Sequence, residues 1–227
     1  MKETSLIILL SLIGCNDGAN KMIISGNIEG LKKGTLYLQK QQDSIITSLD
    51  SISVDGSSEF VLETEIEEPD IYYLYLDKND GDSLNDIITF FGNVGEININ
   101  TRLQTFDSGY KIIGSKNSEL LEEYLSIIRK FNSQNLDLLE IFYNAQIENN
   151  KKRIDSVNTQ LNNLITRKYL YSLNFATNNS DYEISPYIAV SQIADANIDL
   201  LIQLFDTLPE KIKNSKYGKI LKTLTLD

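Results

Sequence analysis

Histidine and cysteine, two of the residue types that often carry out catalysis, are scarce in this sequence. The chain of 227 residues contains no histidine and a single cysteine, Cys15. Without histidine it lacks the commonest general base, the commonest metal ligand and the usual pH-sensitive switch. The acidic residues outnumber the basic ones, the net charge is −11, and such a surface repels nucleic-acid phosphates. We therefore predict no nucleic-acid partner and no cofactor, and we assign no catalytic residue.

One acidic segment has the residue types of a calcium loop. The run Asp77-Lys78-Asn79-Asp80-Gly81-Asp82 combines carboxylates with a glycine. The glycine comes one position early for an EF-hand, and no glutamate occupies the closing position. A solvated connection between two strands is the better interpretation, so we predict no metal site.

A second group of carboxylates, Asp50, Asp55 and Glu59, surrounds a predicted hairpin. Strand alternation and charge repulsion favour an ordinary exposed face for them. A pair of carboxylates suited to glycoside hydrolysis stays open as an alternative, because the distance that matters in such a pair is measured in space. Nothing in the sequence singles out one pair.

Cys15 is better suited to anchoring than to catalysis. It ends the run Leu12-Ile13-Gly14-Cys15, which follows Lys2 and a short apolar stretch from Leu6. This arrangement resembles a bacterial lipobox, where a signal peptidase cleaves before the cysteine and the sulfur carries a diacylglycerol. The apolar stretch is far shorter than the roughly 20 residues of a spanning helix, and it is typical of a signal peptide.

These features predict a lipoprotein. Residues 1–14 would be its signal peptide, Cys15 its lipidated residue, and residues 15–20 a flexible polar tether. The acyl chains would hold the protein on a membrane of the bacterial cell envelope, facing the periplasm or the surface. The choice between inner and outer membrane stays open. The alternative is a buried N-terminal strand or helix with a chance Gly-Cys pair.

Residues 21–114 have the pattern of a β domain. Apolar and polar residues alternate in short segments that are separated by turn residues. The predicted strands are residues 22–28, 34–39, 45–54, 59–64, 71–76, 87–91, 96–100 and 110–113. Seven to eight strands at this spacing predict an antiparallel β-sandwich or open barrel.

Residues 115–227 have the pattern of a helical domain, which makes the predicted fold class α+β. Apolar residues recur at spacings of three and four, and Ser115 or Asn117 can cap the first helix. We predict one helix to about Phe131, a second from Leu136 to about Phe175, and four shorter helices after it. The polar stretch 148–153 inside the second helix would be solvated or bent.

Several motifs occur in the order of a known family. They are Asp50-Ser51-Ile52, Gly56 with Phe60, Pro69 with Tyr72 and Leu74, Phe90-Phe91, Gly95-Glu96-Ile97-Asn98-Ile99, Ile113-Gly114-Ser115, Ser185-Pro186-Tyr187-Ile188-Ala189 and Ser215-Lys216-Tyr217-Gly218. The set resembles the domain of unknown function DUF4369, which precedes a thioredoxin domain in lipoproteins of Bacteroidota-type bacteria. Those proteins are thiol-disulfide oxidoreductases of the TlpA type.

The resemblance implies no redox centre for this chain. In the family, a thioredoxin domain with a Cys-x-x-Cys motif follows the helical segment. The present sequence ends at Asp227, where that domain would begin, and its one cysteine is the predicted anchor. No catalytic residue of the family can be transferred to these positions.

A short pattern is similar to the O-glycosylation acceptor motif of the same bacterial group. In that motif an aspartate precedes a serine or threonine, and an aliphatic residue follows. The acceptor residues here would be Ser44, Ser51, Ser83, Ser156 and Thr207. Chance in a chain rich in Asp and Ser is the alternative.

We therefore expect a lipid-anchored cell-envelope protein that acts as a binding or scaffolding module and is not an enzyme. Its partner would be a protein, a peptide or a glycan of the envelope. The alternatives are an accessory subunit of a separate thioredoxin-like oxidoreductase, a carboxylate-dependent hydrolase, and an envelope sensor or assembly factor.

Overall fold

The structure, a computed structural model, describes residues 20–42, 45–78, 86–195 and 197–226. In this part of the chain eight strands come first and six helices follow. The strands are β1 Lys21–Glu29, β2 Lys33–Gln42, β3 Ile45–Asp55, β4 Glu59–Glu65, β5 Asp70–Asp77, β6 Asp86–Gly92, β7 Gly95–Arg102 and β8 Lys111–Ile113. Each strand overlaps one of the eight segments predicted from alternation.

The strands form two four-stranded sheets. The first sheet has the order β4-β1-β7-β8, and the second has the order β3-β2-β5-β6. The predicted α+β fold is confirmed, with strands followed by helices, and the described sheets do not close into a barrel.

One strand pair departs from the predicted antiparallel arrangement. β1 pairs antiparallel with β4 but parallel with β7. Alternation predicts which side chains face inward, whereas strand direction depends on how the chain returns to the sheet. The pair is also unusually close at Gly26, where an added Cβ would lie 1.8 Å from the carbonyl oxygen of Ile99. Only glycine fits there.

The core of the sandwich lies between the inner faces of the two sheets. β4 illustrates the alternation, since Phe60 and Leu62 are buried while Val61 is exposed. The same cluster includes Met22, Ile24, Ile28, Leu36, Leu38, Tyr72, Leu74, Leu76, Ile88, Phe90, Ile97 and Ile99. Because each large apolar side chain contributes about 1.5–3 kcal/mol when buried, this cluster is the main source of stability for the sandwich.

The six helices follow the last strand. They are α1 Lys116–Ile147, α2 Lys151–Asn178, α3 Ile184–Gln192, α4 Ile198–Thr207, α5 Glu210–Lys213 and α6 Lys216–Leu224. Within the described part of the chain, none is both long enough and apolar enough to cross a bilayer.

The boundary predicted between the first two helices is wrong. α1 continues through residues 132–135, a stretch that is polar but contains no glycine or proline to end it. The break comes at residues 148–150, inside the polar stretch where a bend was predicted. Asn149 has a left-handed backbone with φ of 53°, and the Asn150 side chain caps α2 by accepting from the Arg153 backbone N–H. Asparagine suits both positions.

The helical segment packs against the outer face of the second sheet. Ile71 of β5 and Phe91 of β6 belong to the helical core and not to the sandwich core. The start of α1 also caps the β6 backbone, because the hydroxyls of Ser115 and Ser118 both donate to the Phe91 carbonyl oxygen, at 2.9 and 2.8 Å. The predicted division into domains 21–114 and 115–227 stays a prediction.

Candidate functional site

A cleft lies where one end of the second sheet meets the helices. Its volume is about 770 Å³, which falls within the range of roughly 300–1,000 Å³ for small-molecule sites. Residues of β2, β5, α3 and α6 line it, together with the segment that leads into β5. It therefore combines residues from both halves of the chain.

Asp70 is the centre of the polar network in this cleft. The residue is only 2% exposed, and four donors surround its carboxylate. The ammonium groups of Lys40 and Lys216 lie 2.9 and 2.7 Å from Oδ2. The hydroxyl of Tyr217 donates to Oδ1 at 2.6 Å, and the backbone N–H of Ile71 donates to the same oxygen at 2.8 Å. Both carboxylate oxygens are thus occupied.

Tyrosine rings hold both lysines in place. The Lys40 ammonium lies 5.1 Å from the ring centroid of Tyr72, and the Lys216 ammonium lies 5.2 Å from that of Tyr217. These distances are within the range in which a cation is attracted to an aromatic face. Each ammonium group is therefore held by two contacts. Because the lysine side chains are already ordered, they lose less conformational entropy when a ligand binds them than free side chains would.

The first turn of α6 positions Lys216 and Tyr217. Ser215 caps the helix by accepting from the Gly218 backbone N–H, and Glu68 Oε2 accepts from the backbone N–H of Lys216 at 2.7 Å. These contacts satisfy N–H groups that a helix leaves unpaired at its start. They tie α6 to the segment immediately before β5.

Aromatic contacts form the inner wall of the cleft. The ring centroids of Tyr187 and Tyr217 are 5.0 Å apart, and each ring also packs edge-on against Phe91. Burial raises the pKa of the Tyr217 hydroxyl, and the hydrogen bond to ionised Asp70 raises that pKa further. The hydroxyl therefore stays protonated and acts as a donor to Asp70.

The network keeps Asp70 ionised and Lys40 protonated. Burial by itself would raise the pKa of Asp70, but the hydrogen bonds from Lys216, Tyr217 and Lys40 outweigh it and lower that pKa. Burial likewise works to lower the pKa of Lys40, and the hydrogen bond and charge of Asp70 reverse the effect. An ionised Asp70 has no proton to donate as a general acid, and a protonated Lys40 cannot act as an amine nucleophile. The arrangement is therefore suited to binding.

The three predicted glycosylation sites that the structure describes, Ser51, Ser156 and Thr207, lie on three different elements. Ser51 lies exposed on β3 and Ser156 lies exposed on α2. Thr207 is at the end of α4, where its hydroxyl donates to the Leu204 carbonyl oxygen. Cys15, Ser44 and Ser83 lie outside the described residues. Lipidation and glycosylation of these residues stay predictions.

The described members of the acidic groups considered from the sequence, Asp50, Asp55, Glu59 and Asp77, do not line the cleft. Asp50 accepts hydrogen bonds from the backbone N–H groups of Ser51 and Glu63, so its carboxylate links β3 to β4. Of the calcium-like run, only Asp77 and Lys78 are described, and residues 79–85 lie outside the described chain. Among the described residues, no three acidic side chains are grouped closely enough to hold a metal ion.

Sequence reasoning missed the network around Asp70. Asp70 begins a strand directly after Pro69, and Lys216 and Tyr217 entered only as part of a family motif. Lys216 and Tyr217 are 146 and 147 residues away from Asp70 in the chain. A charged residue at the start of an apolar strand is the one available signal, because it must be paired if it is buried.

A second, smaller cavity lies between α1 and α2. It has a volume of about 530 Å³ and is lined mainly by polar residues such as Gln134, Asn163 and Arg167, together with Leu138 and Leu164. Such a groove accompanies any pair of packed helices. It contains no network comparable to that of Asp70.

Comparison with known proteins finds a family model that matches the N-terminal part of the chain. No curated protein and no solved structure matches the sequence. The segment that matches the family model covers the sandwich and the first residues of α1. It therefore includes Lys40 and Asp70 but not Lys216 and Tyr217. Residues 22–121 match the family model described as a domain of unknown function, DUF4369, which confirms the DUF4369-like domain predicted for this part of the chain.

Proposed function

We propose that the protein is a lipid-anchored binding module of the bacterial cell envelope and that the cleft around Asp70 is its ligand site. The cleft carries the proposal because contacts within the chain hold its walls in place. A network of five residues fixes Asp70, both lysines and Tyr217 where β5 meets α6. A pocket of this kind loses little conformational entropy on binding.

The lining of the cleft supports a peptide or glycan ligand. Tyr73, Tyr187 and Tyr217 provide flat amphipathic surfaces, and Gln41 and Gln42 provide amide groups at the side. Tyrosine offers a large contact area with few rotatable bonds, a property that recognition surfaces use widely. Amide and charged groups then fix the orientation of a polar ligand.

A ligand screen with a blocked cleft tests this function. Peptide and glycan arrays prepared from envelope material would be probed with the detergent-solubilised full-length protein. Ile220→Glu places a charge on the wall of the cleft, at a residue that is already partly exposed. We expect this variant to lose affinity for the array ligand at least about tenfold, the effect of one strong contact.

Ile165→Glu is the matched control. Ile165 is also an exposed isoleucine on a helix, but it lies on α2 away from the cleft. The Ile165→Glu variant should bind the array ligand with the affinity of the wild type. Equal binding by all three proteins would remove the cleft from the proposal.

The membrane anchor needs a separate test. Growth with an alkyne-labelled fatty acid should label the wild-type protein, which should fractionate with membranes. Cys15→Ala removes the predicted acceptor and should abolish both the label and the membrane association. An unlabelled wild-type protein would refute the anchor and leave the cleft untouched.

A carboxylate-dependent hydrolase is the second candidate, because Glu67 and Glu68 also line the cleft. A pair of carboxylates serves as acid and base in glycoside hydrolysis. Glu68 is already bound to the backbone N–H of Lys216, which argues against a free catalytic role. Release of reducing ends from envelope polysaccharides, lost in Glu67→Gln, would establish the hydrolase and displace the binding role.

A further inference from the structure

Two positive charges at the floor of the cleft share one negative charge. Lys40 and Lys216 both contact Oδ2 of Asp70, whose other oxygen is filled by Tyr217 and Ile71. Within the described chain, no other carboxylate lies within 4.0 Å of either ammonium group. The cluster of these three side chains therefore carries one positive charge that no contact neutralises.

The glutamates near the cleft limit how much affinity a ligand gains from its charge alone. Glu68 contacts the Lys216 backbone and Glu67 lies on the lining, while neither forms an ion pair with Lys40 or Lys216. Their negative charges weaken the attraction that the two lysines exert on any anion, because attraction and repulsion both scale with the product of the charges. A ligand therefore needs contacts besides its charge, which an organic carboxylate can make and a small inorganic anion cannot.

The two lysines have hydrogen-bond capacity left for such a group. Each ammonium has three donors and spends one on Asp70. Both residues line the cleft, and their side chains are 23% and 37% exposed, so they are accessible but partly desolvated. Charge-assisted hydrogen bonds are roughly twice as strong as neutral ones. A carboxylate that bridges both ammonium groups would use this capacity.

The neighbouring wall favours an organic body attached to that carboxylate. Tyr187 and Ile220 line the cleft together with Lys216. A free inorganic anion would leave these apolar surfaces in contact with water. A peptide terminus would cover them, because its last side chain and its carboxylate are only a few ångströms apart.

We propose that the cleft binds the free carboxylate of a peptide chain end, held between Lys40 and Lys216 with its adjoining residue against Tyr187 and Ile220. This inference rests on the proposed role of the cleft as a ligand site. It adds the chemical class of the ligand and the two residues that select it.

Two small probes differing in one charge provide the direct test. N-acetyl-alanyl-alanine and its C-terminal amide would be titrated into the full-length ¹⁵N-labelled protein in detergent, with the backbone signals of Ile71, Lys216 and Tyr217 followed by NMR. We expect the acid to shift these signals and to bind about tenfold more tightly than the amide, since it alone makes charge-assisted bonds. Raising the salt concentration should narrow the difference. Equal binding of acid and amide would overturn the proposal.

A lysine variant adds residue-level evidence. Lys216→Gln should reduce affinity for the acid about tenfold and leave affinity for the amide unchanged, because only the charged contact is removed. Lys219→Gln makes the same change at an exposed lysine on the same helix and should bind like the wild type. If Lys216→Gln lowers the melting temperature, the acid–amide comparison in the wild type still decides.

Inorganic phosphate and acetate complete the set of probes. Phosphate binding tighter than that of the acetylated dipeptide would overturn the choice of a carboxylate. Acetate binding as tight as that of the dipeptide would overturn the role of Tyr187 and Ile220. In one further outcome, Ile220→Glu loses its affinity for the array ligands, but no carboxylate probe binds the wild-type protein. This outcome would refute the present inference, while the proposed binding function would stand.

Discussion

The two ends of the α1–α2 helix pair are packed in different ways. Near the sheet, Tyr124 of α1 is fully buried, its ring packs 5.1 Å from that of Phe175 of α2, and its hydroxyl lies 2.7 Å from the Ser172 hydroxyl. At the far end, Tyr143 and Ile147 are 59% and 78% exposed. Both regions are nevertheless helical.

The difference shows that helix formation and burial are set by separate causes. α1 remains helical for 32 residues because its local sequence contains no breaker. Its first turns are buried because β6, β8 and α3 approach them, whereas residues of its outer half line cavities together with residues of α2. We call the sheet-proximal part, residues 116–131 and 168–178, the base, and residues 132–167 the arm.

The largest effect is expected at Phe91 of β6, where the sheet meets both the base and the cleft. Phe91→Ala removes a fully buried ring that touches Tyr187 and Tyr217. We expect a loss of about 4 kcal/mol in the free energy of unfolding, since the ring leaves a cavity between two layers. Urea denaturation followed by circular dichroism measures this. A loss below about 1 kcal/mol, the scale of an ordinary substitution, would show that the two cores are not joined through Phe91.

Asp70→Asn should come next, with a loss of about 2–3 kcal/mol at neutral pH, because two partly buried lysines would lose their ionised partner. The pKa of Asp70 is lowered in the folded protein. Its contribution is therefore present above the unfolded pKa of about 3.9 and declines as the pH falls through the lower folded value. Urea denaturation from pH 7 to pH 2 should show the difference between variant and wild type shrinking below about pH 4. A difference that does not depend on pH would mean that the charge of Asp70 is not what stabilises the junction.

The arm should respond less than the base to the same substitution. Leu121 lies in the base and Leu164 in the arm, and both are buried. We expect Leu121→Ala to cost about 3 kcal/mol and Leu164→Ala about 1–2 kcal/mol, because the open sides of the arm let its helices close over the gap. Equal losses would require the arm to be as tightly packed as the base.

The smallest effects belong to the outer surface of the arm. Leu136→Gln and Ile147→Gln change residues that are 67% and 78% exposed. Unfolding free energies should stay within about 0.5 kcal/mol of the wild type, as is usual for surface substitutions. Ligand affinity at the cleft should not change either. A larger loss of stability would reveal that these side chains are covered in the folded protein.

Much of the fold could be predicted from local patterns. The Phe60 and Leu62 alternation predicts both the strand β4 and its buried face, and each of the other seven strands follows from the same rule. The parallel pairing of β1 with β7 could not be predicted, because Gly26 signals a close approach without naming its partner. The polar run 132–135 suggested a loop, but polarity on the exposed arm is compatible with a helix.

The sequence by itself determined the strands and the buried faces of strands and helices, which follow from the spacing of apolar residues. It did not place the boundary between the first two helices, which the structure puts at Asn149, inside the polar stretch where a bend was predicted. The same local patterns predict a lipid anchor at Cys15. Only the tertiary structure decided the site. Lys40, Asp70 and Lys216 are brought together by β2, β5 and α6, elements that are distant in the chain. The physical reason is that a buried carboxylate requires partners, while the sequence does not specify from which element those partners come.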